Sequence, residues 1–464
     1  MFRSSTFLLA PLLVFTACPP STSASDAGVD AGPPVALTGS RQGAALALVD
    51  FDGDGLADKL VGAPFATSGG HTGAVLVYRG LPGGAFAFRP IVLTGGDNFG
   101  AALLATGDLD GDGQGDFAVG APHASTGVGL TGAVTLFRGG RSGEVLATLA
   151  AGGSSAKFGF ALAAGDFDAD GRVDVAVGAP FDSPAPELYQ AGQVFVFFGP
   201  DFTRSHPMTP TGAVKGLGWA LTAGDLSGDG TSDLVLGATG RVVAFFGRAG
   251  FSPAVTAPDL TVSSAAAQFG RSLLVLGDWS GDGIGELVIG APTAAAGTTR
   301  DVGAFFVVKG AAASRAVDLG ALPAPADLLG VVKGSAAFDR LGAQLARAGD
   351  LDGDGRPELL VSAPMADVTT NDLAGRLFLF KSASALELTA ATGFSGAQRS
   401  GWFGAALATT PDGKVFVGAP RSEAETGAVT LIDLATGEQV KSGSSGGATG
   451  SAGCHCDETG ECHC

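Results

Sequence analysis

Apolar positions along this chain fall into short runs that end in Gly-Ala-Pro or a near match. They read KLVGAP from Lys59, FAVGAP from Phe117, VAVGAP from Val175, LVLGAT from Leu234, LVIGAP from Leu287, LLVSAP from Leu359 and VFVGAP from Val415. Runs this short, rich in Val, Leu and Ile and bounded by glycine and proline, predict strands rather than helices. A bulky residue and a glycine stand upstream of each, as in Phe99-Gly100, Phe158-Gly159, Leu217-Gly218, Phe269-Gly270, Leu341-Gly342 and Phe403-Gly404. Downstream a second run starts at glycine: GAVLVYRG from Gly73, GAVTLFRG from Gly132, GQVFVFFG from Gly192, GAFFVVKG from Gly303 and GRLFLF from Gly375. Weaker runs such as PIVLTG and ATLAAG complete units of four short strands.

An acidic loop feeds the first six of these Gly-Ala-Pro strands. The first places Asp50, Asp52, Asp54 and Asp58 at loop positions one, three, five and nine. Asp108, Asp110, Asp112 and Asp116 follow, then Asp166, Asp168, Asp170 and Asp174. Serine replaces the second carboxylate in Asp225, Ser227, Asp229, Asp233 and in Asp278, Ser280, Asp282, Glu286; the sixth loop is Asp350, Asp352, Asp354, Glu358. Calcium takes six to eight oxygen ligands at about 2.3–2.6 Å. Alternate residues of an extended loop direct carboxylates at one centre, and the carbonyl at position seven (Leu56, Gln114, Arg172, Thr231, Ile284, Arg356) adds another oxygen. Position six is glycine in every copy, which suits a sharp turn at positive φ. Aspartate and glycine are also ordinary turn residues, but six copies in phase point to calcium. A helix-loop-helix calcium hand needs Glu at position twelve. Val61, Val119, Val177, Leu236, Ile289 and Val361 stand there instead, so each loop closes at position nine and enters a strand.

The loops begin at residues 50, 108, 166, 225, 278 and 350, a period near 58 residues. A seventh unit keeps its strands but has lost the acidic loop, leaving Asp412. Seven units of four strands predict an all-β, seven-bladed β-propeller over residues 34–440. The segment PVALTG, Pro34 to Gly39, has no blade of its own and is expected to supply the outer strand of the last blade, closing the ring and covering its edges. Phe-Gly, DxDGDGxxD and Gly-Ala-Pro recurring in order resemble FG-GAP repeats, and the array resembles the propeller at the head of integrin α subunits. The resemblance implies that the acidic loops lie on the lower face and bind calcium, with ligands approaching the upper face. Six loops exceed the integrin number, and nothing in the chain resembles integrin legs or a membrane span.

The formal net charge is −18. About half of the 45 acidic side chains sit in the six loops, so six divalent ions would cancel two-thirds of that charge. No basic stripe is present, which argues against nucleic acid as partner. Arg3 followed by FLLAPLLVFTAC reads as an export signal over residues 1–17, too short for a membrane span. Thr16-Ala17-Cys18 resembles a bacterial lipobox, which makes Cys18 the expected lipidation site and the membrane a partner through that anchor; ordinary signal cleavage and free secretion are the alternative. Residues 18–33 read as a tether and 441–453 as a Gly/Ser linker. Cys454, Cys456, Cys462 and Cys464 with two histidines form a tail, residues 454–464, suited to disulfides or to a soft metal.

Enzyme chemistry finds little support. His71, His123 and His206 read as loop residues without a nucleophile, and Gly443 to Gly447 matches the GxSxG elbow only inside the linker. Some FG-GAP propellers accompany a phospholipase domain, for which the flanks here are short. The expected function is a calcium-stabilised, non-catalytic surface module that recognises an extracellular protein or glycan. An enzyme or a metal or redox accessory, acting through the central channel or the cysteine tail, is the alternative. Loops after Gly-Ala-Pro offer Phe181, Tyr189, Arg300 and Asp301 as ligand contacts. Trp219 and Trp402 are expected to pack between blades in preference to lining the central opening, and Trp279 to pack within the fifth loop.

Overall fold

The middle strand of each unit is apolar at consecutive positions because it is covered on both sides. In Asp116–Ala121, Asp174–Ala179, Asp233–Ala238 and Glu286–Ala291 every residue is buried. Pairing is antiparallel throughout each unit. Leu46–Val49 pairs with Asp58–Ser68, which pairs with His71–Tyr78, which pairs with Ile91–Thr94. The computed structural model describes residues 39–441 apart from 69–70, 83, 88–89, 126–130, 141–142, 152, 154, 204, 210–213, 252–256, 321–324, 369–371, 383–385, 387–390 and 423–425, together with the backbone of 455–456 and 462–463. These residues belong to one unit, Val35–Cys464.

Seven such sheets form a β-propeller. Their inner strands, Leu46–Val49, Ala102–Gly107, Leu162–Gly165, Leu221–Gly224, Ser272–Gly277, Leu345–Arg347 and Ala406–Thr409, contact one another in cyclic order, the last against the first. The core is distributed accordingly, one apolar cluster to each junction between neighbouring blades. Phe51, Phe99, Phe117 and Phe137 fill the first junction, and Leu46, Val61, Phe416 and Val429 fill the one that joins blade seven to blade one. Glycine is required where blades meet. A Cβ on Gly62 would lie 2.2 Å from the carbonyl oxygen of Gly100 in the next blade, and Gly100 itself has φ +87°.

Three features depart from the sequence reading. Blade four has a fifth strand, Arg315–Asp318, running parallel to its outer strand Leu260–Ser263 and donated by the connection inside blade five. That donation accounts for the long interval between the fifth and sixth loops. The last blade takes its fourth described strand from the C-terminal side, Gln439–Lys441, while residues 34–38 of the segment expected there lie outside the described set. Among the described residues the first and last blades are joined at Gln42, whose N–H donates to Thr426 O at 2.9 Å in a parallel bridge with Gly427. His71 and His206 lie in strands, leaving only His123 of the three in a loop. The signal segment, Cys18, the tether, the linker with its GxSxG match, Cys454 and Cys464 fall outside the described residues; of the tail, only the backbone pairing of His455 with His463 and of Cys456 with Cys462 is described. No helix among the described residues is long and apolar enough to cross a membrane.

Candidate metal centres and the opposite face

Each acidic loop is folded by its own first and last carboxylates. Asp50 accepts from the N–H groups of Gly53 at 2.9 Å, Asp54 at 3.1 Å and Gly55 at 2.9 Å, curling the chain around one side chain. Asp58 is fully buried and accepts from Phe51 N at 2.8 Å and from Gly80 N at 2.6 Å, tying the loop to the end of the third strand. Asp108 and Asp116 repeat both arrangements. Asp225 and Asp233 keep the same division of labour, whereas in the fifth loop Asp278 curls the chain and Glu286 accepts from Trp279 N and Ser280 N of the loop itself.

In five of the six loops these constraints bring acidic oxygens within 4.8 Å of one another. The sets are Asp50, Asp52 and Asp58; Asp108, Asp110 and Asp116; Asp166, Asp168 and Asp174; Asp278, Asp282 and Glu286; and Asp350, Asp352, Asp354 and Glu358. Among the described residues, the fourth loop makes no such group. Ser227 replaces its second carboxylate and its N–H instead bonds to Asp233 at 2.7 Å. Asp54 and Asp112 stand outside their clusters and accept from the backbone two residues on, Leu56 N and Gln114 N. Burial pushes Asp58 up to about 6, Asp174 to about 7 and Asp233 to about 6, and also raises Asp116, Glu286 and Glu358. Asp52 Oδ1 and Glu358 Oε1 are buried without a hydrogen-bond partner. Clustered, partly orphaned hard oxygens of this kind fit a divalent cation.

At the opposite end of the inner strands, the loops after Gly-Ala-Pro and before Phe-Gly expose Phe65, Tyr189, Phe338 and Leu373. Of the residues expected to contact a ligand, Tyr189 is 65% exposed and Arg300 is exposed, Asp301 is half-buried with φ +51°, and Phe181 turns inward. Phe181 lies edge-on to Trp219 with ring centroids 4.9 Å apart, beneath the Lys157 ammonium. Trp219 lines the central cavity, contrary to the packing role expected of it, whereas Trp402 is absent from that lining and is covered by the Arg421 guanidinium. Trp279 is buried in the core between blades five and six, as expected.

The FG-GAP repeat family matches residues 158–197, 217–250 and 342–380, and the FG-GAP-like repeat matches residues 50–119. Those segments are similar to FG-GAP repeats. Integrin alpha-4 of Xenopus laevis is 35% identical over 153 residues, 30% of this chain and 14% of that protein. Integrin alpha-7 of Rattus norvegicus is 33% identical over 201 residues, 40% of this chain and 17% of its own length. Phosphatidylinositol-glycan-specific phospholipase D of Rattus norvegicus is 37% identical over 150 residues, 29% and 18% respectively. The chain thus spans less than a quarter of each of these relatives. A solved structure of Saccharomyces cerevisiae Sqt1 superposes with a TM-score of 0.48 at 12% identity, covering 86% of this chain and 85% of that one.

Two properties of the FG-GAP units escaped the sequence reading. The residue after the apolar run of the third strand is a cation in four blades, and each reaches its own acidic loop: Arg79 to Asp52 at 3.9 Å, Arg138 to Asp110 at 2.6 Å, Lys309 to Asp282 at 2.8 Å and Lys381 to Asp352 at 3.7 Å. In blades three and four that position is a buried phenylalanine, Phe198 or Phe246. The runs VYRG, LFRG, VFFG, AFFG, VVKG and LFKS carry this signal in plain view. The second property is a left-handed residue just before every Phe-Gly pair, among them Asn98, Lys157, Gln268 and Trp402. Only in blade four is it glycine, Gly216, so no composition signal marks it.

Proposed function

We propose that this protein is a calcium-stabilised, non-catalytic surface module that recognises an extracellular protein or glycan through the propeller face opposite its acidic loops. The observation that carries the calcium half is the convergence of three or four acidic oxygens in five separate loops. Calcium there would be held by the carboxylates at positions one and nine together with position three in the first three loops, position five in the fifth and both in the sixth, with the carbonyls at position seven completing the shell. The fourth loop, with Ser227, is the weakest candidate. The recognition half is supported by exposed aromatic residues concentrated in the upper loops and by the similarity to integrin alpha chains. Export and anchoring at Cys18 belong to the same reading, since calcium is abundant outside the cell. The phospholipase D similarity covers 29% of this chain and 18% of that protein.

Thermal unfolding with calcium and with chelator, alongside metal analysis of the isolated protein, tests this reading. At ten times the dissociation constant, each site contributes about 1.4 kcal/mol, so five independent sites contribute roughly 7 kcal/mol. For a domain of this size that corresponds to a rise in melting temperature of roughly 8 °C. About five bound ions and a rise of that order are expected. Absence of both would reduce the loops to turns and remove the calcium reading.

A further inference from the structure

The inner strands begin around a central cavity of about 490 Å³ at the end remote from the acidic loops. The residue that follows each Phe-Gly glycine, or its equivalent, stands at its mouth. On four consecutive blades this residue is alanine: Ala343, Ala405, Ala44 and Ala101. On the other three it is Phe160, Trp219 and Arg271, so the mouth has one bulky wall and one open side. The Arg271 guanidinium lies over the Trp219 ring, 3.8 Å from its centroid, and 5.6 Å from that of Phe160. Phe160 sets its edge against the same indole at 5.0 Å.

Among the described residues Arg271 is the sole charged residue in the lining, and burial lowers its pKa with no described acid to offset the effect. A half-buried arginine without a carboxylate is uncommon, because removing a charge from water costs free energy that a partner normally offsets. Stacking on the indole holds the guanidinium plane while leaving its N–H donors at the rim of that plane, the geometry that receives a carboxylate through two parallel hydrogen bonds. Gln344, exposed on the adjacent blade, adds a neutral amide at the same mouth.

We propose that this mouth binds a single ligand carboxylate, gripped by Arg271, with Trp219 supporting the ligand's planar or apolar stem. The inference rests on the upper-face binding reading and names the chemistry of the bound group. One cation set against two aromatic rings matches one negative charge better than a phosphate dianion, which calls for several donors. The volume falls within the range of roughly 300–1,000 Å³ typical of small-ligand sites. The carboxylate belongs either to a free acid or to an aspartate or glutamate side chain of a protein partner.

Tryptophan fluorescence of the full-length, calcium-loaded protein, titrated with sodium benzoate, provides the test. Benzamide and inorganic phosphate serve as controls, and a capped tripeptide carrying one glutamate represents the protein source. Saturable change with benzoate or the glutamate peptide, at least tenfold weaker with benzamide and phosphate and lost in Trp219→Phe, is the expected result. Arg271→Gln should weaken binding at least tenfold while its calcium-dependent melting shift stays intact. Tighter binding of the peptide than of benzoate assigns the carboxylate to a protein partner, and the reverse order to a free acid. Equal response to benzoate and benzamide, unchanged binding in Arg271→Gln, or no binding of either acid overturns the proposal. Because the melting shift is read on the same samples, failure here is separable from failure of the calcium-braced module.

Discussion

Asp58, Asp174 and Asp233 face two opposed demands. Each is buried and donates nothing, yet each holds its loop to the end of the third strand through backbone N–H groups. Without a cation, burial raises their folded-state pKa to about 6, 7 and 6, above the unfolded value of about 3.9. A raised acid favours the protonated folded state, so its stabilisation is complete below the unfolded pKa and is lost as pH climbs through the folded one. The chelated protein should therefore melt at a higher temperature at pH 5.5 than at pH 7.5. Calcium reverses the sign, because the ion needs the deprotonated carboxylate. Asp282, held down by its bond to Lys309, acts in the other direction, but only near its own lower pKa, outside this window. Melting curves at the two pH values, with and without chelator, check this; parallel trends in both series would rule it out. The positions of these acids were legible because a loop that converges on one point imposes strict spacing. Their burial was not, since it arises from neighbouring blades that local pattern does not report.

A blade is a hairpin of ligands with, in four cases, a cation tethered across it. Arg138 contacts both Asp110 and Glu144 and is itself held more strongly protonated by Asp110. Such a side chain neutralises the loop when no ion is bound and competes with the ion when one arrives. Arg138→Ala is expected to lower the melting temperature of the chelated protein and to tighten calcium at the second loop by no more than a few-fold, since exposed pairs are weak. Competition titration against a chelating dye reads the affinity, and weaker calcium binding in the variant would defeat the idea. The strand pattern itself was readable from the sequence, because every unit repeats the same apolar runs. What local pattern could not reveal was exchange between blades. Arg315–Asp318 pairs with Leu260–Ser263 in another unit, and that edge is covered by a strand from 55 residues further along the chain, Leu260 facing Arg315.

Ring closure is a property of the whole molecule, and six of the seven blade junctions differ from the seventh in one respect. At Gly192 and Leu217 the parallel bridge joins blades that are also consecutive in sequence, so covalent continuity keeps them together if the bridge weakens. At Gln42 and Gly427 the blades are the first and the last, and contacts alone hold them, assisted by Ser40 Oγ donating to Thr426 O at 3.0 Å. The seven-blade count was legible from the repeats. The place where the ring is joined was not, because nothing in the run Gln439–Lys441 marks it as the strand that fills the outer position of the last blade. Both bridge glycines adopt positive φ and both leave no room. A Cβ would meet Leu217 O at 2.3 Å on Gly192 and Gln42 O at 2.2 Å on Gly427. The substitutions Gly192→Val and Gly427→Val are therefore matched in local strain, and each should lower the melting temperature. Their consequences diverge in hydrogen exchange. Gly427→Val should deprotect the inner strands of blades one and seven together, exposing the cluster of Leu46, Val61, Phe416 and Val429 below the melting transition, whereas Gly192→Val should leave distant blades protected. Equal patterns of protection in the two variants would mean that the seventh junction is no weaker than the other six, and that the ring behaves as if it had no ends.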